Sequence, residues 1–287
     1  MTVAPPADAA PTTPAGPARR PRSATSGALT PAATLNLGVC VLWLSLIVLL
    51  PIAAVLFDSV SDGWGAFWAA VTDPLARSAI TLTVGSALLV TVINAVMGTL
   101  IAWILVRDSF PGRRLVEVVI DIPFALPTIV AGLILVSLYG PGGPFGVNLV
   151  GTKGGVVLAM LFVTLPFVVR SVQPVLIEMD VDVEEAAASL GASGFTTFRR
   201  IVLPTILPAV LAGSALAFAR ALGEYGSIIL ISANIQGETE VASARMLALL
   251  ESGDQAGAAA VASILLVVAI VVLLLMDLLR RWAGRRG

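Results

Sequence analysis

The chain has 287 residues, 57% hydrophobic and 12% charged, with a formal net charge of −1, no histidine and one cysteine, Cys40. So small a charged fraction, far below the quarter usual in soluble domains, points to a membrane-embedded protein. The missing histidine excludes Ser-His-Asp and Cys-His catalysis and most transition-metal ligation, and a single cysteine excludes a disulfide framework.

Residues 1–33 are rich in Ala, Pro, Thr and Ser and hold the cluster Arg19, Arg20 and Arg22. They carry too little large apolar surface to fold, so a disordered tail is expected. The apolar stretch that follows is too long, and lacks a clean small-residue cleavage site, for a signal peptide. Six stretches are long and apolar enough to span a bilayer: 35–57, 79–106, 116–139, 154–172, 205–232 and 256–279. None alternates like a barrel strand, so the expected class is all-α, a polytopic membrane protein with six transmembrane helices. Pro123, Pro127 and Pro166 mark expected kinks, and Asn94 is expected to hydrogen-bond between helices.

The Lys/Arg bias orients the spans. One set of connecting segments and ends holds Arg19, Arg20, Arg22, Arg107, Arg113, Arg114, Arg170, Arg199, Arg200, Arg280, Arg281, Arg285 and Arg286. The other holds only Arg77, Lys153 and Arg245. Both termini are therefore expected in the cytoplasm. The outer loops are then 58–78, 140–153 and 233–255. The last contains "ETEVASARMLALLESGD", read either as a plain surface loop or as a short amphipathic docking helix. Near the second outer loop, "GVNLVGTK" has two glycines at phosphate-loop spacing but lacks the Gly-Lys-Ser/Thr that cradles phosphate. It reads as an ordinary turn, so no ATP site is expected on this chain.

The segment "EEAAASLGASGFTTFRRIVLP" (184–204) lies on the cytoplasmic side. Glu184 and Glu185 suit a helix start, Ala186 and Ala187 are small helix formers, and Gly191 suits a left-handed helix end. Ser193 suits the cap of a second short helix, and Pro204 the first turn of the next span. A mere helical connector is the simplest reading, although some 30 residues is long for one.

The stretch resembles the EAA loop of bacterial ABC importer permeases, E-A-A-x3-G-x9-I-x-L-P. Glu185, Ala186, Ala187, Gly191, Ile201, Leu203 and Pro204 stand at every position of that pattern. The resemblance, carried also by "SAITLTVGSALLVTVINAVMGTLIAWILVR" (78–107) and "FPGRR" (110–114), implies a type I (MetI-like) importer permease fold. Its expected organisation is a tail (1–33), a first helix and outer loop (34–74), a core (75–280) with coupling loop 178–204, and a basic tail (281–287). It implies that Glu184, Glu185, Ala186, Ala187, Gly191, Ala192 and Ser193 dock on a cytoplasmic ATPase, with Glu185 fixing the loop. ATP and Mg would be bound by that partner and no cofactor by this chain.

"DIPFALPTIVAGLILVSLYGPGGPFG" (121–146) and "ARALGEYGSIILISANIQGET" (219–239) are similar to permeases for tetrahedral oxyanions. "RALGEYG" is similar to the sulfate type, and "GPFG" with the outer loop after it resembles the T-type subunit of sulfate and thiosulfate importers, with the molybdate and tungstate type as the alternative. Two ATPase copies, a second W-type permease, an extracytoplasmic sulfate-binding protein and a bacterial inner membrane are then implied; nucleic acid is not. Arg220 and Glu224 are four apart and can pair. With Tyr225 and Ser227 they either line or gate the anion path or form a structural lock. An ion-gradient-driven transporter is a further reading, with Glu224 as its main embedded carboxylate.

Overall fold

The computed structural model describes residues 31–284. The expected tail through residue 30, with Arg19, Arg20 and Arg22, and the terminal Arg285 and Arg286 lie outside the described residues. The described residues divide into two compact units, one ending at Leu50 and the other starting at Pro51. In the first, helix α1 (Pro31–Leu44) leads into a π-helical turn, Ser45–Leu49. The stretch Ala33–Asp58 is long and apolar enough to cross a membrane, and the division falls within it.

The second unit starts with the remainder of α2 (Leu50–Asp58) and the short α3 (Trp64–Thr72). It continues with α4 (Pro74–Arg107), α5 (Arg113–Ala125), α6 (Thr128–Tyr139) and α7 (Lys153–Glu178). The segment after α7 holds α8 (Val181–Ser189) and α9 (Gly194–Thr197). Helices α10 (Leu203–Leu222), α11 (Gly226–Ile231), α12 (Ala242–Glu251) and α13 (Gln255–Gly284) complete it. No strand occurs among the described residues.

Helix α7 is the centre of this unit. It packs against α4 and α10, and α10 packs in turn against α4 and α13. Of the apolar window of α7, 56% is buried, against 22% for α13, so α7 meets protein where α13 presents most of its surface outward. The first half of α7 (Val156, Ala159, Met160) joins one apolar cluster with Phe218, Ile228 and Val261. Its second half (Val168, Val172, Leu176) joins another with Leu105, Val202 and Ile206. Near its middle, the Asn94 side-chain amide donates to Thr164 Oγ1 at 2.8 Å, the interhelical bond expected of that amide. Without a hydrophobic force between helices in lipid, such bonds and close packing at small residues hold the bundle.

Two expected spans are not single helices. The stretch 116–139 is two helices, α5 and α6, bent by 119°. Pro127 has no N–H to continue the ladder and disfavours helical geometry at Leu126, whose ψ is 137°. Helix α7 meanwhile runs unbroken through Pro166. The stretch 205–232 is also divided: α10 stops at Leu222 and the short α11 starts at Gly226. At its other end this span begins earlier, at Gly194. A π-helical turn, Phe198–Val202, links α9 to α10, with the Leu203 N–H bonded five residues back to Phe198. That extra residue per turn accommodates Pro204, which cannot donate.

Candidate functional site

Helix α8 is built as its residues require. The Asp180 carboxylate accepts from the Asp182 N–H at 3.1 Å, and Asp182 and Glu184 stand in the first turn, where acids complement the helix dipole. At its other end Gly191 has φ +84°. The Gly191 N–H bonds to Ala188 O at 2.9 Å and the Ala192 N–H to Ala187 O at 3.0 Å. These paired bonds form a Schellman motif, which needs a left-handed residue at the position of Gly191. Ser193 Oγ then accepts from the Thr196 N–H at 3.3 Å and caps α9. The expected second short helix merges into the span, so Ile201 lies in the π turn and Leu203 and Pro204 start α10.

One ion pair ties this loop to the bundle. Arg107, the last residue of α4, reaches Glu184 Oε1 at 2.6 Å, with both side chains mostly shielded from solvent. The tether is therefore Glu184, not Glu185, which is exposed. The acidic doublet marks the helix start in sequence, but only the helix rotation decides which carboxylate faces α4. No residue of α8 is buried. Beyond it Leu190 is 90% exposed and Phe195 73% exposed, beside the exposed Ala186 and Gly191. Large apolar side chains presented this way, flanked by small residues, suit a partner surface.

The second candidate group lies at the break between α10 and α11. Arg220 Nη1 meets Glu224 Oε2 at 2.6 Å. Glu224 Oε1 accepts from the Ser227 N–H at 2.9 Å and the Ser227 hydroxyl at 2.8 Å. The Glu224 carbonyl accepts from the Ser243 hydroxyl at 2.8 Å, which ties α12 to the same point. Glu224 is 1% exposed, so its carboxylate serves internal partners and faces no open space. Arg220, Glu224 and Ser227 thus form one connected polar cluster, whereas the half-buried Tyr225 makes no side-chain hydrogen bond in it.

Sequence reasoning missed two further features. Arg170 holds Asp121 through two guanidinium nitrogens and Gln173 through a third, clasping α5 to α7. Glu240 is 2% exposed, and neither carboxylate oxygen has a hydrogen-bond partner among the described residues. Burial pushes its carboxyl above the ordinary value, with Arg245 pulling the other way. Its acidic, loop-like neighbourhood gave no sequence signal of burial.

Residues 94–286, which include the coupling-loop pattern and the bundle core, match the family described as the inner membrane component of binding-protein-dependent transport systems. The chain belongs to that family. This inner membrane component is 46% identical to the sulfate transport system permease protein CysT of Synechocystis sp., over 86% of the chain and 89% of the relative. It is 43% identical to the protein of that name from Salmonella typhimurium, over 80% and 85%. Its fold is also that of a chain in the bacterial alginate ABC transporter solved with an alginate-bound periplasmic protein. That match has a TM-score of 0.72 at 18% identity, covering 86% of this chain and 93% of the other. A chain of the inward-facing MetNI methionine ABC transporter matches with a TM-score of 0.58 at 16% identity, over 73% and 95%. The type I importer permease fold expected from the EAA pattern is thus the fold observed, and the chain is an integral membrane permease of an ABC importer.

Proposed function

We propose that the chain carries sulfate or thiosulfate inward as one permease subunit of an ATP-driven importer, by alternating access. The substrate class rests on similarity to the sulfate permeases. The coupling rests on one observation: α8 buries no residue and, with its Schellman turn, stands out from the bundle, tethered to α4 by the Arg107–Glu184 ion pair. A helix held at one end and open on its other faces can transmit a push from a docked partner into α4. In this reading two copies of an ATPase bind ATP and Mg and close against the loops, a second W-type permease completes the path, and an extracytoplasmic binding protein delivers the anion. Both termini lie in the cytoplasm of a bacterial cell with this complex in its inner membrane. The transport core is 75–280, with 178–204 as its coupling loop.

The test is ATP-dependent uptake of labelled sulfate by the assembled complex. Gly191→Val forces a side chain into left-handed backbone, disfavoured by about 1–2 kcal/mol, although its Cβ meets no atom within 4 Å. Glu185→Arg reverses an exposed charge. Each change is expected to abolish uptake and to lower the yield of co-purified ATPase, with membrane insertion unchanged. Uptake that survives both changes would overturn the coupling role.

A further inference from the structure

In the first half of α4, at the end opposite the Arg107–Glu184 tether, a cavity of about 760 Å³ opens beside the start of α7. Arg77 and Lys153 line it. Arg245, the third cation at this end, is paired with Asp73 at 3.5 Å. Neither Arg77 nor Lys153 makes an ion pair among the described residues, and both are exposed. Each stands in the first turn of a long helix, Arg77 in α4 and Lys153 in α7, where the helix dipole disfavours positive charge. Packing therefore gives no reason for either cation, whereas an anion between them would.

The rest of the lining fits the same ligand. Ser86 is 6% exposed, and its hydroxyl makes no hydrogen bond among the described residues although it borders the cavity. Thr81, one turn beyond Arg77 on the same helix face, likewise presents a hydroxyl without a partner. Gly85 follows one turn later, and a Cβ added there would meet nothing within 4 Å, so the helix itself leaves the space open. Glu238 also borders the cavity. With two cations and one carboxylate the lining is cationic but not strongly so, and a transported ion must leave as well as enter.

We propose that this cavity is the outer anion vestibule of the permease, in which Arg77 and Lys153 concentrate a doubly charged tetrahedral oxyanion and Thr81 and Ser86 donate hydrogen bonds to it. The identity of the oxyanion as sulfate rests on the function proposed above. The test uses the assembled complex with Cys40→Ser and Thr81→Cys, probed with an anionic and a cationic methanethiosulfonate reagent of similar size. The anionic reagent is expected to react faster, and added sulfate to slow it. In the Arg77→Gln, Lys153→Gln pair the anionic-to-cationic rate ratio should fall about tenfold, the scale of charge focusing in a cleft. In complexes that keep Thr81, the same pair should raise the KM for sulfate uptake.

An unchanged reagent ratio with an unchanged KM overturns the vestibule. An unchanged ratio with loss of the co-purified second permease overturns it too, and makes this face a subunit contact. If wild-type complex fails to take up sulfate while the reagent ratio still depends on Arg77 and Lys153, the anion site stands and the sulfate reading falls.

Discussion

At the scale of residues, two buried carboxylates 16 positions apart show how partners decide a charge's fate. Glu224 has Arg220 and two donors from Ser227. Glu240 is equally buried and has no hydrogen-bond donor among the described residues. Burying a charge is tolerable only when it is paired and hydrogen-bonded, so the two respond differently to a neutral isostere. Because the folded protein raises the Glu240 pKa above its ordinary 4.5, the native state holds that proton more tightly. Its burial is harmless below the ordinary value and becomes destabilising as pH rises through the raised one. Glu240→Gln should therefore raise the thermal midpoint of the solubilised complex at pH 7, with the gain vanishing towards pH 4.5. A gain that is absent, or that does not change with pH, would show Glu240 to be satisfied by a partner in the assembly.

Among elements, close helix approach does what hydrophobic collapse does in water. A Cβ at Gly213 of α10 would lie 2.9 Å from the Val168 Cα of α7, and one at Gly132 of α6 would lie 2.6 Å from the Ser227 carbonyl oxygen of α11. Both contacts are with backbone, which cannot rotate away. Overpacking of this kind typically costs about 1–3 kcal/mol. Gly213→Ala and Gly132→Ala should each lower the thermal midpoint, whereas Gly85→Ala, with open space around it, should not. Equal midpoints for all three would mean that the helices slide apart without penalty. The two broken spans belong to this scale too. Pro127 was visible as a breaker in the sequence, but hydropathy averaged across it and gave one span. The break at Gly223–Tyr225 was hidden because both sides are apolar, and Glu224 caps the far side through Ser227.

For the molecule as a whole, the unpaired cations sort by end. Among the described residues, Arg114, Arg199 and Arg200 make no ion pair and lie at or near the end that bears α8; Arg77 and Lys153 lie at the other. This is the bias that the positive-inside rule reads. In a Cys40→Ser background, Leu190→Cys should be shielded from a membrane-impermeant thiol reagent in intact cells and react after permeabilisation. Gln236→Cys should react in intact cells. The reverse pattern would invert the proposed orientation.

Membrane insertion and helical class were legible from the sequence because both depend on local quantities, apolar length and charge. The local structure of 180–204 was legible because its cap, turn and proline are set by neighbours within a few residues, from Glu185 through Gly191 to Pro204. What the tertiary structure decided were the contacts between distant positions. Glu184 rather than Glu185 meets Arg107, 77 residues away. Asp121 meets Arg170, and Arg77 shares a cavity with Lys153. Such pairings depend on the rotation of each helix and on which helices are neighbours. In a bilayer those are set by small residues and close packing at the crossings, and no local pattern of hydropathy or charge encodes them.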